Sequence, residues 1–366
     1  MVKTMYKYHL GDVEWGEFSI KEIFVTHKGT NGIQTPTGSY IKRCKFKKSN
    51  MPRITVRETN NGIDDFVFSV DKNFRVYKNF ISVSFLGGVF YHPYEASIDM
   101  KVHALIPKNI ELNRYNAQFL INAIKNNLIY SSYGNQLSST DLPRTKIMLP
   151  VDDKGSPEWH FMEEYIKERE NKQRNDLKEY YKNRLLNLVV CPEVLTDIEW
   201  GEFRVKDLFE VKSVKGKTIT NYRSGTIPYV TTSSINNGIS DFIDTSVDIS
   251  FRNCISVDPI GGKTFYHEYE FVGRGGAGSA INLLYSDKLN HEIGKFICSA
   301  MEKTSLGKAS YAVALNGDRL KNAKLLLPIA ENGKPNWTYM ENFIKSIEKK
   351  QIKNVLKYLD EYIYNV

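Results

Sequence analysis

Glu14-Trp15-Gly16-Glu17-Phe18, near the start of the chain, returns as Glu199-Trp200-Gly201-Glu202-Phe203 in its second half. Each is followed by similar apolar spacing, IKEIF at Ile20 to Phe24 and VKDLF at Val205 to Phe209. Downstream, Asn60-Asn61-Gly62-Ile63 returns as Asn236-Asn237-Gly238-Ile239, and each copy soon continues with Asp-Phe. Gly87-Gly88 with Phe90-Tyr91-His92 returns as Gly261-Gly262 with Phe265-Tyr266-His267. Finally LPVDDKGSPEWHFMEEYIKE, from Leu149, matches LPIAENGKPNWTYMENFIKS, from Leu327. The offsets are 185, 176, 174 or 175, and 178 residues, in chain order. Four blocks in one order at nearly constant offset mean two tandem copies of one domain, with small loop insertions.

A chain of 366 residues suits two domains of common size, and 41% hydrophobic residues can build a core in each. The formal charge of +8 favours an acidic partner, either nucleic acid or an anionic membrane surface. The first eighteen residues, MVKTMYKYHLGDVEWGEF, lack the apolar core of a signal peptide. No apolar run reaches the roughly 18 residues of a membrane-spanning helix, so no membrane span is expected. Cys44, Cys191, Cys254 and Cys298 are far apart and form no C-x-x-C pair. That spacing argues against a zinc site or a disulfide framework and for a reducing, cytoplasmic setting.

Each copy changes texture once. Its long first part is rich in β-branched and aromatic residues, punctuated by Asn-Gly and Gly-Gly turn signals. ISVSFLGGVFYH and IPYVTTSS read as strands, while Asn113 to Ile129 and His291 to Glu302 read as helices. The tail is different. Pro157 and Pro335 suit a first helical position, and Ser156 could cap the first helix. Beyond them Trp159, Met162, Ile166, Leu177, Tyr180 and Leu185 recur at three-four spacing. The second tail repeats this with Trp337, Met340, Ile344, Ile347, Ile352, Val355, Leu359 and Tyr362. Each stripe predicts a helix of about 32 residues, roughly 48 Å long. Ordinary core packing would explain one such stripe. Two equal long helices, each closing a repeat, favour an antiparallel pair.

Motifs for nucleotide binding fail on inspection. Gly273-Arg274-Gly275-Gly276-Ala277-Gly278 satisfies G-x-G-x-x-G, but SAINLLY follows and reads as a strand, so a turn between strands is expected. Gly262-Lys263-Thr264 and Gly216-Lys217-Thr218 resemble a P-loop end, with Val257 and Val211 where its first glycine belongs. His92 and His267 have no nucleophile tied to them and read as strand residues with satisfied rings. No cluster has metal-ligand spacing, and no methyltransferase or nuclease motif is visible, so neither a catalytic residue nor a metal site is expected.

Basic residues are locally concentrated. Lys42, Arg43, Lys45, Lys47, Lys48, Arg53 and Arg57 crowd the stretch from Ile41 to Arg57, which holds no acid. The second copy places Lys212, Lys215, Lys217 and Arg223 in the matching stretch, and Arg274 lies further on. Such patches neutralise phosphates, and Arg, Asn and Gln side chains read base edges. A solvated surface explains any single lysine. The shared position of the two runs favours DNA.

In these features the sequence resembles the DNA-specificity subunits of type I restriction–modification systems and their type IIB relatives. E-W-G-E-F, GTIPYVTTSSINNGISDF, and the KIMLP or KLLLP run leading into G-x-P-x-W and a long helix carry the likeness, over nearly the whole chain. The resemblance implies an α+β fold, a tandem duplication of a mixed α/β target-recognition domain. Residues 1–156 would form the first domain, 157–190 a spacer helix, 191–334 the second domain, and 335–366 a second spacer helix. The helices would pair as an antiparallel, coiled-coil-like ruler, and a roughly 48 Å ruler slightly exceeds one DNA turn of about 34–36 Å. Each domain would read half of a split, asymmetric double-stranded target. The helix stripes of Trp159, Met162, Ile166, Leu177, Trp337, Met340, Ile344, Ile347, Val355 and Leu359 would dock methyltransferase subunits, expected in two copies, with a restriction endonuclease subunit in an intact system. This chain itself would hold no cofactor, S-adenosylmethionine belonging to the methyltransferase. MPRITVRET at Met51 to Thr59 departs from the cleaner IPYVTTSS run, as two unlike readers require. A protein-interaction scaffold, a DNA-binding protein with no modification partner, and an enzyme with an unfamiliar site are the competing readings.

Overall fold

The computed structural model describes residues 7–128, 137–188, 198–276, 280–304, 314–315 and 317–361. The chain divides into two compact units, Met1–Leu177 and Lys178–Val366. In the first unit β1 (Trp15–Ser19) leads into the single turn α1 (Ile20–Ile23) and the small hairpin β2 (His27–Gly29) and β3 (Gly32–Gln34). Then follow β4 (Lys47–Ile54), β5 (Ile63–Phe68), β6 (Val76–Ser84), β7 (Val89–Ile98) and β8 (Val102–Leu105). These five form one sheet in the order β5-β4-β7-β6-β8, in which only β4 and β7 run parallel. Helix α2 (Arg114–Asn127) packs on the sheet, β9 (Lys146–Pro150) returns, and α3 (Trp159–Asn187) closes the copy. ISVSFLGGVFYH is the β6–β7 hairpin, as its alternation and glycine pair suggest.

The second unit repeats the plan. Its elements are β10 (Trp200–Arg204), α4 (Val205–Leu208), β11 (Glu210–Ser213), β12 (Arg223–Val230), β13 (Ile239–Asp244), β14 (Ile249–Ser250), β15 (Cys254–Val257), β16 (Thr264–His267), β17 (Phe271–Gly273) and β18 (Asn282–Tyr285). They are followed by α5 (His291–Lys303), α6 (Gly317–Asn322), β19 (Lys324–Pro328) and α7 (Trp337–Glu361). Here the strands form two four-stranded sheets, β13-β12-β17-β14 and β11-β18-β15-β16. The break falls where β6 carries a bulge at Asn79, whose φ is 51°; Asn253 holds the matching place at 62°. In both copies the asparagine donates to a loop carbonyl, Leu112 or Leu289 at 3.0 Å, and accepts from Tyr91 or Tyr266 at 2.8 Å.

The E-W-G-E-F blocks close each domain. β1 pairs antiparallel with β9 and β10 with β19, so each domain's first strand meets its last. Gly16 is required by close approach: a Cβ there would lie 2.6 Å from Val151, and one at Gly201 the same distance from Ile329. Trp15 stacks on Phe119 and Trp200 on Phe296, each at 6.4 Å between centroids. The second glutamate pairs across the ladder, Glu17 with Lys146 at 2.7 Å and Glu202 with Lys324 at 2.5 Å.

The helical tails begin two residues later than the prolines suggest. Pro157 and Pro335 stay extended and bridge Val151 and Ile329. Ser156 caps nothing; its amide donates to Asp152. The last residues before the helices do that work instead, Asn336 accepting from the Tyr339 amide at 2.9 Å and Glu158 from His160 at 3.2 Å. The intervening turn brings the chain back onto the ladder before the helix starts, with Gly155 and Gly333 at positive φ.. Helix α3 has 29 residues and α7 has 25, or about 44 and 38 Å. Ile129, residues 189–190 of the first expected spacer and Tyr362 lie outside the described residues, as do Cys191 and Ala277 to Ser279 of the glycine-rich stretch.

Within the second unit the last turns of α3 run antiparallel to α7. Lys178 pairs with Asp360 at 2.8 Å, and six residues further on Arg184 pairs with Glu348 at 2.6 Å. Among the described residues no helix is long and apolar enough to cross a membrane.

Candidate nucleic-acid interface

The basic stretch of the first copy enters through a 3₁₀ turn at Arg43–Lys45 and continues along β4. Its counterpart passes through a 3₁₀ turn at Ile219–Asn221 into β12. Strands β4 and β12 each pair with an edge strand, β5 or β13, after a tight Asn-Asn-Gly turn. The turn explains its own sequence. Asn60, Asn61 and Gly62 have φ of 53°, 51° and 76°, and Asn236, Asn237 and Gly238 have 51°, 53° and 75°. Three left-handed residues in succession suit asparagine and glycine and strain most others. The turn joins the two strands, and a register shift between Lys48 and Pro52, or between Ser224 and Ile227, then separates it from the cations that begin β4 and β12.

Several nominated cations are spoken for. Arg53 is only 19% exposed, bonded to Asp99 at 2.6 Å and Asp64 at 3.2 Å, with its guanidinium over the Phe46 ring. Arg57 shares Asp64, and Lys212 pairs with Glu210 while lying over the Tyr285 ring. Lys45 pairs with Asp71 at 2.6 Å; the hydrogen bond raises the amine's pKa and lowers that of the carboxyl. Arg53 in particular is a structural cation rather than a free contact. The acids that meet Lys45, Arg53 and Arg57 come from β5 and from loops near β6 and β7, and Glu210 lies on β11 beside Lys212, so the acid-free stretches alone overstate the available charge.

Lys42, Arg43, Lys47, Lys48, Lys215, Lys217 and Arg223 remain exposed, and none forms an ion pair among the described residues. Arg274 is half-buried beside β12, its amide bonded to the Val230 carbonyl at 2.8 Å. Cations without carboxylate partners, on one segment of each unit, can take up phosphate charge. A feature not nominated from sequence accompanies them. Phe66 and Phe242, the Asp-Phe residues of the repeat, are each 48% exposed on the edge strands. Their signal was the recurrence itself.

His92 and His267 hold no catalytic geometry. Both are buried, with one ring nitrogen 2.8 Å from a serine hydroxyl, Ser82 or Ser256. The other nitrogen meets Tyr94 at 3.3 Å or Tyr269 at 3.2 Å. Burial pushes both imidazoles down to about 4. Burial likewise pushes the Cys254 thiol up to about 12. Among the described residues no three His, Cys, Asp or Glu side chains gather in a group that could hold a metal.

The helix stripes divide into two classes. Met162 and Met340 are fully buried in the cores of their own domains, with Trp159 and Ile166, or Trp337 and Ile344, packed against them. These six residues are domain core, because the first turns of α3 and α7 lie on α2 or α5 and the closing ladder. Leu177 and Ile347 are exposed, and Val355 and Leu359 half-buried. Among the described stripe residues, Leu177 and Ile347 are the ones that leave most apolar surface for another chain.

The family model described as the type I restriction modification DNA specificity domain matches residues 12–179 and 197–358. The chain belongs to this family. The two matches coincide with the two copies. The specificity subunit S.BcgI of a type II restriction enzyme of Heyndrickxia coagulans is 31% identical over 166 residues, 44% of this chain and 46% of that relative. The match thus spans about half the relative's length. The crystal structure of a type I restriction–modification system S subunit from M. genitalium shares the fold. It is 15% identical, covers 99% of this chain and 96% of its own, and has a TM-score of 0.55. The specificity family therefore accounts for the duplicated α+β architecture and for a long helix after each domain.

Proposed function

We propose that the chain is the DNA-specificity subunit of a restriction–modification complex and reads a split, asymmetric double-stranded target with two unlike heads. The observation that carries this reading is one fold built twice around different cationic strands. Lys47 and Lys48 begin the strand in the first copy, Arg223 in the second, and none is neutralised by a carboxylate among the described residues. Identical heads would serve a symmetric site; unlike strands on a common frame suit an asymmetric one.

In this reading the chain carries no catalytic group and no cofactor. Methyl transfer and S-adenosylmethionine binding belong to methyltransferase subunits, two of which dock on the exposed distal parts of α3 and α7. Where the system is complete, a restriction endonuclease subunit does the cutting. The assembly works in the cytoplasm, on the DNA it protects. A helix of about 44 Å is long enough to act as a spacer over slightly more than one DNA turn.

The test is to purify the chain with its methyltransferase and map methylated adenines on random-sequence DNA. A motif of two unlike halves with a fixed gap is the expected result. Methylation at an undivided motif, or independent of this chain, would refute the two-reader role.

A further inference from the structure

We infer that Phe66 and Phe242 each read one base position of their half-target by apolar contact, an inference that rests on the DNA-specificity reading above. Both rings lie on strands β5 and β13, the edges of their sheets, where no further strand pairs among the described residues. In an antiparallel ladder, opposed side chains share a face, and so do residues two apart. Lys47 opposes Phe68, two residues from Phe66. Arg223 opposes Asp244, two residues from Phe242. In both heads, then, the ring shares its face with a cation that has no ion pair among the described residues.

The presentation is built the same way twice. Phe66 opposes Pro52, and Phe242 opposes Pro228. The preceding aspartate, Asp65 or Asp241, accepts the phenylalanine's own amide at 2.8 Å. The following residue, Val67 or Ile243, is buried. That inward anchor prevents a slip by one residue, which would turn the ring inward. A single exposed phenylalanine is ordinary on a protein surface. Here the same ring, equally exposed in both heads, shares its face each time with a cation that has no ion pair among the described residues.

A cation on this face draws in the phosphate backbone, but a phenyl ring cannot bond phosphate. Once the duplex is seated, the ring's match is an apolar base group, above all the thymine methyl in the major groove. The division of labour follows. Lys47 and Arg223 supply affinity without sequence preference, each ring adds preference at one position, and the residues in which β4 and β12 differ distinguish the two halves.

The experiment maps methylation on random-sequence DNA by the full chain with its methyltransferase, comparing the wild type with Phe66→Ala, Phe66→Leu and Phe242→Ala. Thermal melting checks that these exposed substitutions leave the fold unchanged. Phe66→Ala should relax one position in one half of the motif, with about a tenfold loss of preference, and Phe242→Ala one position in the other half. Phe66→Leu should keep part of the preference. Unchanged motifs in both alanine variants, or equal loss at all positions, would overturn the role of the rings while the wild-type split motif still stood. Absence of a split motif with the wild type would overturn the DNA-specificity reading and this inference with it.

Discussion

Arg184 of α3 grips Glu348 of α7 with two parallel bonds, Nε to one carboxylate oxygen at 2.6 Å and Nη2 to the other at 2.9 Å. The pair is partly shielded, and the hydrogen bonds lower the pKa of Glu348 and raise that of Arg184. Bidentate geometry fixes the rotation of one helix against the other, as a lysine point charge would not. Arg184→Ala should cost about 1–2 kcal/mol in the thermal unfolding of the full chain. Arg184→Lys should recover only part of that. A loss under a few tenths would show that the pair contributes nothing measurable.

The stripe residues of the long helices should separate by experiment into core and surface. Met162→Ala and Met340→Ala remove fully buried side chains and should each cost about 2–4 kcal/mol. Leu177→Asp and Ile347→Asp alter exposed positions and should leave the melting temperature nearly unchanged. The same two substitutions should reduce co-purification with the methyltransferase. Retained co-purification with both aspartates in place would move the docking surface elsewhere.

Gly62 and Gly238 close the left-handed turns, and an added Cβ would stand about 3.1 Å from Ile54 or Val230. Gly62→Ala and Gly238→Ala should each destabilise their own unit by about 1–2 kcal/mol. Differential scanning calorimetry would show the loss. Equal stability would mean that the turn relaxes into another conformation without cost.

Acid sensitivity follows from three buried histidines, His92, His103 and His267, each pushed down to about 4 by burial. The unfolded value is 6.5, so the unfolded state binds more protons between those values. Stability is therefore full above about 6.5 and falls as the pH drops towards 4, by up to roughly 3 kcal/mol per histidine. Denaturant melts at pH 7.5, 6.0 and 5.0 should show this slope. His92→Gln, which stays neutral, should remove one part of the first unit's contribution and leave that of His103. A wild-type stability constant down to pH 5 would contradict the assigned burial.

Phosphate contacts should appear in the salt dependence of binding. Lys47→Ala and Arg223→Ala should weaken DNA binding across sequences and reduce the slope of log K against log salt by about 1 each. Arg53→Ala should instead act on stability, because its guanidinium already serves Asp64 and Asp99. An unchanged salt slope for Lys47→Ala and Arg223→Ala would remove them from the contact surface.

Much of the fold was readable from the repeat. E-W-G-E-F and the LP runs pair with each other, so recurrence of the blocks marked both edges of each domain. The β6–β7 hairpin and the α2 and α5 helices followed from alternation and three-four spacing. The helix starts did not, because Pro157 and Pro335 fit an extended bridge as well as a first helical turn. Nor did the neutralisation of Lys45, Arg53 and Arg57, since Asp64, Asp71 and Asp99 reach them only after folding. The inward destination of Met162 and Met340 was also hidden, as a stripe of apolar residues does not say which surface will cover it.

In the proposed function, each copy reads its own half of one target. Grafting residues 200–328 in place of residues 15–150 exchanges the first head for a second copy of the other, with cuts at the ends of the closing ladders. Methylated sites would then be mapped for the grafted chain with its methyltransferase. The expected result is a split motif whose two halves both carry the sequence read by the second head. An unchanged asymmetric motif from the grafted chain would contradict the proposed function.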